Sequence, residues 1–275
     1  MSDHNFSDKA GEEFAELIRV IEKLRGPDGC PWDRRQTHET LRKYLIEESY
    51  EVVEAIEHGS PAKLREELGD VMLQVLLHAE ISRQEGGFDI GDVCRILREK
   101  LVRRHPHVFG EVEVAGVDEV LHNWEEIKAG EPGYEDRRSI LDGVPKSLPA
   151  LMRAMEISKR AVRVGFEWPE VGGVLDKLQE EMDELKREIQ AGDSERAAQE
   201  IGDLLFTVVN LARFLDADPE EALRETITRF SERFRKIESH AKERGRSLKD
   251  MSLEEMDAVW NEAKRVSNRK ERKGG

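Results

Sequence analysis

One acidic pattern occurs twice in this chain, with the same internal spacing in both copies. Each copy has two adjacent glutamates, a third glutamate three positions later, and a Glu-x-x-Asp motif further on. The first copy is Glu47, Glu48, Glu51, Glu67 and Asp70, and the second, 133 positions later, is Glu180, Glu181, Glu184, Glu200 and Asp203. Oxygen-only ligand sets suit Mg²⁺, Mn²⁺ or Ca²⁺ and not zinc or copper. Each pattern is therefore a candidate metal site.

Helical geometry brings the members of each pattern together. At about 100° per residue, the first three glutamates share one side of a helix, and the Glu-x-x-Asp pair shares a face of the next helix. The short connection through 59–61 predicts that these helices are antiparallel neighbours, so the two acidic faces meet. Two such charges 4 Å apart repel by about 4 kcal/mol at an effective dielectric of 20. The cluster therefore needs protons, bases or cations.

A solvated surface is the alternative interpretation, because glutamate-rich helices are common and a duplication can simply preserve a stable fold. It does not explain why both Glu-x-x-Asp motifs begin strongly apolar helices. VMLQVLLHAEI follows Asp70, and LLFTVVNLARFL follows Asp203. We therefore prefer the metal interpretation, with the solvated face left open.

Composition excludes several other classes of protein. The net charge of −15 disfavours binding of a nucleic acid polymer. Cys30 and Cys94 have no zinc-like or disulfide-rich spacing. The chain shows no secretory signal, no apolar run long enough for a membrane span, no P-loop and no dinucleotide fingerprint. These features predict a cytoplasmic protein without membrane contact.

Helical periodicity dominates and alternating strand patterns are nearly absent, which predicts an all-α fold. Two tandem helical-bundle domains are expected at 1–132 and 153–275, joined by a Pro- and Gly-containing linker at 133–152 and ending in a basic tail. Trp124 and Lys128 near the end of the first half have counterparts at Trp260 and Lys264 in the second. Predicted helices cover about 37–57, 61–85, 92–104, 118–129, 173–191 and 194–216, with others before 26, from 219 and after 252.

These motifs, in this order, resemble the MazG family of nucleoside triphosphate pyrophosphohydrolases. GCPWDRRQTHETLRKYLIEESYEVVEAI at 29–56 is similar to the N-terminal signature of the family, and SKRAVRVGFEWP at 158–169 is similar to the segment that introduces its C-terminal repeat. The resemblance covers nearly the whole chain. It implies an all-α pyrophosphatase fold, assembly as a homodimer, and Mg²⁺-dependent cleavage of nucleoside triphosphates to monophosphates and pyrophosphate.

The resemblance also assigns roles to residues. It implies that the second acidic pattern binds metal at the catalytic repeat, with the first pattern as its equivalent. The basic and aromatic positions of the family fall on Arg229, Arg233, Trp260 and Lys264. In the first repeat, His107 stands where an arginine equivalent to Arg233 is expected. Gln199 stands where the first repeat has Glu66. We therefore expect catalysis in the second repeat.

The predicted reaction is attack of water on the α-phosphorus of a nucleoside or deoxynucleoside triphosphate, with broad tolerance of the base. Glu181 or Glu184 is expected to position or deprotonate the water. One alternative is a non-catalytic helical module that binds nucleotide or a partner as a regulator. Others are a structural helical array and, among enzymes, a dedicated dCTP or dUTP hydrolase.

Overall fold

The computed structural model of the chain describes residues 3–117, 119–120, 123–124, 127, 130–131 and 139–274, without the side chains of 3–6 and 266–274. Within these residues the chain is helical and contains no strand, which confirms the all-α prediction. The helix predicted near 118–129, and Lys128 with it, falls mostly outside the described residues. Every described helix is too short or too polar to span a bilayer.

The chain forms two compact units, Met1–Tyr134 and Glu135–Gly275. The division falls inside the segment 133–152 predicted as the linker, of which 133–138 lie outside the described residues. The exact bounds of the predicted domains stay a prediction.

The first unit is built around two long antiparallel helices that are joined by a three-residue turn. Thr37 caps the first of them by accepting a hydrogen bond from the Thr40 amide, and Ser60 caps the second by accepting from the Lys63 amide. Gly59 in the turn has a φ of +63°, a conformation that glycine adopts without strain. The helices of the first unit are α1 (Asp3–Arg25), α2 (His38–Glu57), α3 (Pro61–Gln84), α4 (Ile90–Arg104) and the single turn α5 (Pro106–Phe109).

An apolar core and one arginine hold this unit together. Leu41 of α2 and Leu77 of α3 are fully buried in a cluster that also contains Ile21 of α1. The Arg25 guanidinium donates to the Gln84 side chain at 3.1 and 3.3 Å and to the Gln36 carbonyl at 3.3 Å. The loop before α2 is therefore tied to both α1 and α3.

The second unit repeats the helical hairpin. Asp193 accepts from the Arg196 amide at the start of one helix, and Gly192, with a φ of +72°, ends the helix before it. The helices are α6 (Ala150–Arg163), α7 (Val171–Ala191), α8 (Ser194–Phe214), α9 (Pro219–Glu243) and α10 (Leu253–Gly274). The basic tail continues α10, since lysine and arginine favour helix and suit its C-terminal end.

Helix α6 has no counterpart among the helices predicted from the sequence. A polar network fastens it to α8: Ser158 Oγ donates to Asn210 Oδ1 at 2.6 Å and accepts from Arg213 Nε at 2.8 Å. The Arg213 guanidinium also donates to Glu167 Oε1 at 2.8 Å. Because buried polar groups must find partners, this network fixes the position of α6 on the hairpin.

Each hairpin also presents an exposed apolar stripe with four- and three-residue spacing. The two stripes occupy equivalent positions, and each begins between the glutamate and the aspartate of the acidic motif on α3 or α8. They consist of Leu68, Met72 and Val75 in the first unit and Ile201, Leu205 and Val208 in the second. Contiguous exposed apolar residues on one helical face typically mark an interaction surface.

Replacing Leu41, which is 0% exposed, with alanine should destabilise the first unit. Loss of the buried side chain and the cavity left behind together cost about 2–5 kcal/mol. The measurement is chemical denaturation followed by circular dichroism. The matched control is Val20→Ala, because Val20 is 52% exposed. Equal shifts for the two variants would contradict this view of the core.

Candidate functional site

The two hairpins bring acidic side chains from separate helices together. In the first, Glu48 of α2 and Glu67 and Asp70 of α3 each place a carboxylate oxygen within 4.8 Å of the others. In the second, the same distance holds for Glu181 and Glu184 of α7 and Glu200 of α8. Both acidic patterns thus converge across the helix seam.

The remaining predicted ligands lie outside the three-residue groups and differ in how they interact with them. Glu51 and Glu47 act electrostatically on Glu48, and Asp203 acts on Glu200, so these three residues lie beside their clusters. Glu47 is exposed and Glu180 is ion-paired with Lys177 at 2.9 Å; neither belongs to the three-residue groups. The structure thus brings three carboxylates together in each hairpin, and a metal role for any of the ten predicted ligands stays a prediction.

One glutamate in each cluster is buried, and a lysine on the same helix meets it. Glu67 is 1% exposed and forms an ion pair with Lys63 through its Oε1. Glu181 is 5% exposed and lies 2.6 Å from the Lys177 ammonium. Each lysine precedes its glutamate by four residues. The two lysines are not equivalent by sequence, since Lys63 is on α3 and Lys177 on α7.

Crowding of like charges shifts several pKa values upward. Burial and then Asp70 raise the pKa of Glu48, and Glu67 raises the pKa of Glu51. Burial, followed by the charge of Glu184, raises the pKa of Glu200. The hydrogen bond to Glu181 raises the pKa of Lys177, so this ammonium stays charged. The clusters therefore attract protons and cations alike.

The basic and aromatic residues predicted in the second repeat form a partial group. The Arg233 guanidinium lies 5.6 Å from the centre of the Trp260 ring, and Phe230 packs against the same ring at 5.0 Å. Among the described residues, Arg233 has no ion pair and its buried Nε has no hydrogen-bond partner. Lys264 is exposed one helical turn after Trp260. Arg229 instead binds Glu225 at 3.1 Å and Thr226 at 2.8 Å.

The first repeat contains the same arginine–tryptophan contact. The Arg104 guanidinium lies 5.7 Å from the centre of the Trp124 ring. His107, which the sequence alignment placed opposite Arg233, instead contacts His105. The contact that Arg233 makes with Trp260 is thus made in the first repeat by Arg104 and not by His107. Arg104 is ion-paired with Glu131, which distinguishes it from Arg233.

Sequence reasoning missed Lys63, Lys177, Arg104 and Glu131. The two lysines had a readable signal, since a Lys four residues before a Glu shares a helix face with it. Arg104 stands 20 residues before Trp124 whereas Arg233 stands 27 residues before Trp260, so no fixed spacing from the tryptophan relates the two arginines. Glu131 carried no signal in the sequence, and only the fold shows its contacts.

The donor set of the second cluster fits a hard divalent cation. Three carboxylates with oxygens within 4.8 Å, one of them buried, offer oxygen ligands only. The neighbouring ammonium of Lys177 shows that positive charge is accommodated at this position. A magnesium ion held there would leave coordination positions for phosphate oxygens and water.

Comparison with known proteins gives a consistent result over both repeats. The family described as MazG nucleotide pyrophosphohydrolase domain matches residues 36–109 and 172–240. The Thermotoga maritima nucleoside triphosphate pyrophosphohydrolase/pyrophosphatase MazG is 47% identical over 256 residues, 93% of this chain and 97% of that protein. An Escherichia coli K12 nucleoside triphosphate pyrophosphohydrolase is 44% identical over 252 residues, 90% and 96% respectively. The uncharacterized protein YabN of Bacillus subtilis is 50% identical over 258 residues, 94% of this chain but 53% of that protein.

Glu200→Gln should raise the unfolding temperature of the protein in EDTA at pH 7.5. Folding raises the pKa of Glu200, so its ionised form opposes folding. The stability that the bound proton contributes is present below the ordinary pKa of about 4.3 and is lost as the pH rises through the raised folded value. The advantage of the variant should therefore shrink as the pH falls towards 4.3.

The matched control for this effect is Glu232→Gln, because Glu232 is an exposed carboxylate on α9. It should leave the unfolding temperature nearly unchanged over the same pH range. A lower unfolding temperature for Glu200→Gln than for the wild type would refute the repulsion in the second cluster.

Proposed function

The chain belongs to the MazG nucleotide pyrophosphohydrolase family, and we propose that it hydrolyses nucleoside triphosphates to monophosphates and pyrophosphate with Mg²⁺ as cofactor. The observation that carries the proposal is the convergence of Glu181, Glu184 and Glu200 between α7 and α8. Mn²⁺ has the same preference for oxygen ligands and is the alternative ion.

The metal-holding residues of the catalytic repeat are Glu181, Glu184 and Glu200, with Asp203 beside them and Glu180 at the rim. A bound magnesium ion would supply charge neutralisation for the triphosphate and a lowered pKa for bound water. Lys177 neutralises part of the negative charge of the cluster in the absence of the ion. Because its side chain is partly exposed, it can move aside when a metal ion binds.

A carboxylate of the same cluster receives the proton of the attacking water. Glu184 is better placed than Glu181, because it is partly exposed while Glu181 is buried against Lys177. Glu184 is held in turn by Arg187, whose guanidinium donates to it at 2.8 Å. Attack of this water on the α-phosphorus forms the new P–O bond, and pyrophosphate leaves with the electron pair of the broken bond.

Arg233 and Lys264 bind the phosphates of the substrate. Trp260 orients the guanidinium of Arg233. The Trp260 ring is already packed by Phe230 and by the guanidinium, so positioning is a better role for it than base stacking. Arg229 must exchange Glu225 for a phosphate oxygen to take part. Because these contacts address phosphate rather than base, we propose broad tolerance of the base.

Glu181→Gln and Glu200→Gln should each lower Mg²⁺-dependent pyrophosphate release by about 10²–10³-fold, the usual effect of losing one group that stabilises or activates a reacting centre. The matched first-repeat variants Glu48→Gln and Glu67→Gln should keep most of the activity. Release of pyrophosphate is measured over all common ribo- and deoxyribonucleoside triphosphates.

Each other outcome of that panel identifies a rival. Unchanged turnover in both second-repeat variants would refute the assigned site. Activity confined to dCTP or dUTP would indicate a dedicated hydrolase. Binding without any hydrolysis by the wild type would indicate a non-catalytic nucleotide-binding module.

We also propose that a second copy of the chain covers the apolar stripes of α3 and α8. The stripe occurs at equivalent positions in both units although each unit has its own core, and its residues remain exposed in the single chain. Burial of one such side chain contributes about 1.5–3 kcal/mol. This proposal agrees with the homodimer that the family resemblance implies.

Leu205→Glu should shift the protein from dimer towards monomer in analytical ultracentrifugation, because the charge would have to be buried in the contact. The matched control is Leu253→Glu. Leu253 is also exposed but lies at the first position of α10, where an acidic residue suits the helix N-terminus. A monomeric wild type, or equal dissociation of both variants, would reject the stripe as the contact.

A further inference from the structure

Glu131 of the first unit is held by two consecutive arginines at the end of α4. Arg104 binds the Glu131 carboxylate in a bidentate manner, since its Nε donates to Oε1 at 3.0 Å and its Nη2 donates to Oε2. Arg103 donates to Oε1 from Nε at 3.1 Å and from Nη2 at 2.7 Å. The glutamate is only 9% exposed. Hydrogen bonds from Arg104 and then Arg103 lower the pKa of Glu131 to about 2, against the opposing effect of burial.

The group that surrounds this carboxylate is built as an anion site. Two guanidinium groups converge on one anion, and bidentate arginine contacts are the geometry with which proteins bind carboxylate and phosphate. Trp124 supports Arg104 from its ring face, as Trp260 supports Arg233. Among the residues that the structure describes, the buried Nε1 of Trp124 has no hydrogen-bond partner, so one N–H donor beside Arg104 stays available.

The same place in the second repeat lacks the carboxylate. Counted from the tryptophans, Glu131 stands seven residues after Trp124, and Ser267 stands seven residues after Trp260. Arg233, the counterpart of Arg104, has no ion pair among the residues that the structure describes. The arginine–tryptophan pair is thus common to both repeats, whereas within the described part of the chain a carboxylate pairs with the arginine only in the first.

We propose that Arg103, Arg104 and Trp124 form an oligophosphate-binding site in the first repeat, and that Glu131 of the same chain occupies and closes it. The ligand class is an oligophosphate, inorganic or the tail of a nucleotide. The choice of an oligophosphate as the ligand class rests on the function proposed above. The arginine contacts that form the anion site are observed independently of that function.

The competition between Glu131 and an external phosphate is one-sided. A tethered carboxylate acts at a high effective concentration, in the millimolar range or above, without any loss of translational freedom. An external ligand binds only to the fraction of molecules in which the carboxylate has left, so its apparent affinity falls by that fraction. Glu131 therefore keeps the first repeat closed at ordinary ligand concentrations.

The test is calorimetric titration with inorganic tripolyphosphate in EDTA at low salt, using the full-length chain. A background of Arg233→Ala and Lys264→Ala removes the phosphate contacts assigned to the second repeat. Adding Glu131→Gln should tighten binding by at least about tenfold, equivalent to about 1.4 kcal/mol. Adding Arg104→Ala to that variant should abolish the gain. Because the readout is binding without metal or turnover, its result is independent of whether the enzyme hydrolyses nucleotides.

Unchanged affinity for tripolyphosphate in a folded Glu131→Gln variant would overturn the proposal and leave the ion pairs with a structural role only. So would tight binding that survives loss of Arg104. If Glu131→Gln fails to fold, Glu131→Asp retains the charge on a shorter arm. Its affinity should exceed that of the background, and an affinity equal to the background would again overturn the proposal.

Discussion

The repulsion among carboxylates in the helix seam is the constraint around which each unit is built. The seam must be rigid, because acidic side chains on separate helices would otherwise move apart. The capped starts of α2 and α3, the glycine turn between them and the buried contact of Leu41 with the core provide that rigidity. Lys63 and Lys177 then supply the positive charge that makes the arrangement tolerable in the isolated chain.

The two units share the same helical hairpin but differ in several of the charged side chains around it. Both units bring three carboxylates together in the hairpin, both have an arginine against a tryptophan, and both expose an equivalent apolar stripe. The differences are local charges: a lysine on the other helix of the hairpin, and a glutamate on the arginine of the first repeat. The two copies of the fold therefore differ in the charges around equivalent side chains, and the segment between the arginine and the tryptophan differs in length as well.

The sequence predicted most of the frame, because the information for it is local. Helical periodicity marks the main helices, which begin at side-chain caps such as Thr37 and Asp193, and acidic spacing indicates which residues meet across the seam. The rest depends on tertiary contacts. Helix α6 depends on Ser158 meeting Asn210, fifty-two residues away in the chain. Glu131 pairs with arginines that precede it by 27 and 28 residues, and the sequence between them shows no pattern shared by the two repeats.

The three-residue turn between α2 and α3 also determines when the acidic cluster can form during folding. All its members lie on one hairpin, so little loop-closure entropy opposes their meeting, and contacts of short sequence separation form early. We thus expect the groups that repel each other to assemble before the surrounding helices dock. We therefore expect dissolved ions to influence the folding rate as well as the final stability, with the hairpin as the step on which they act.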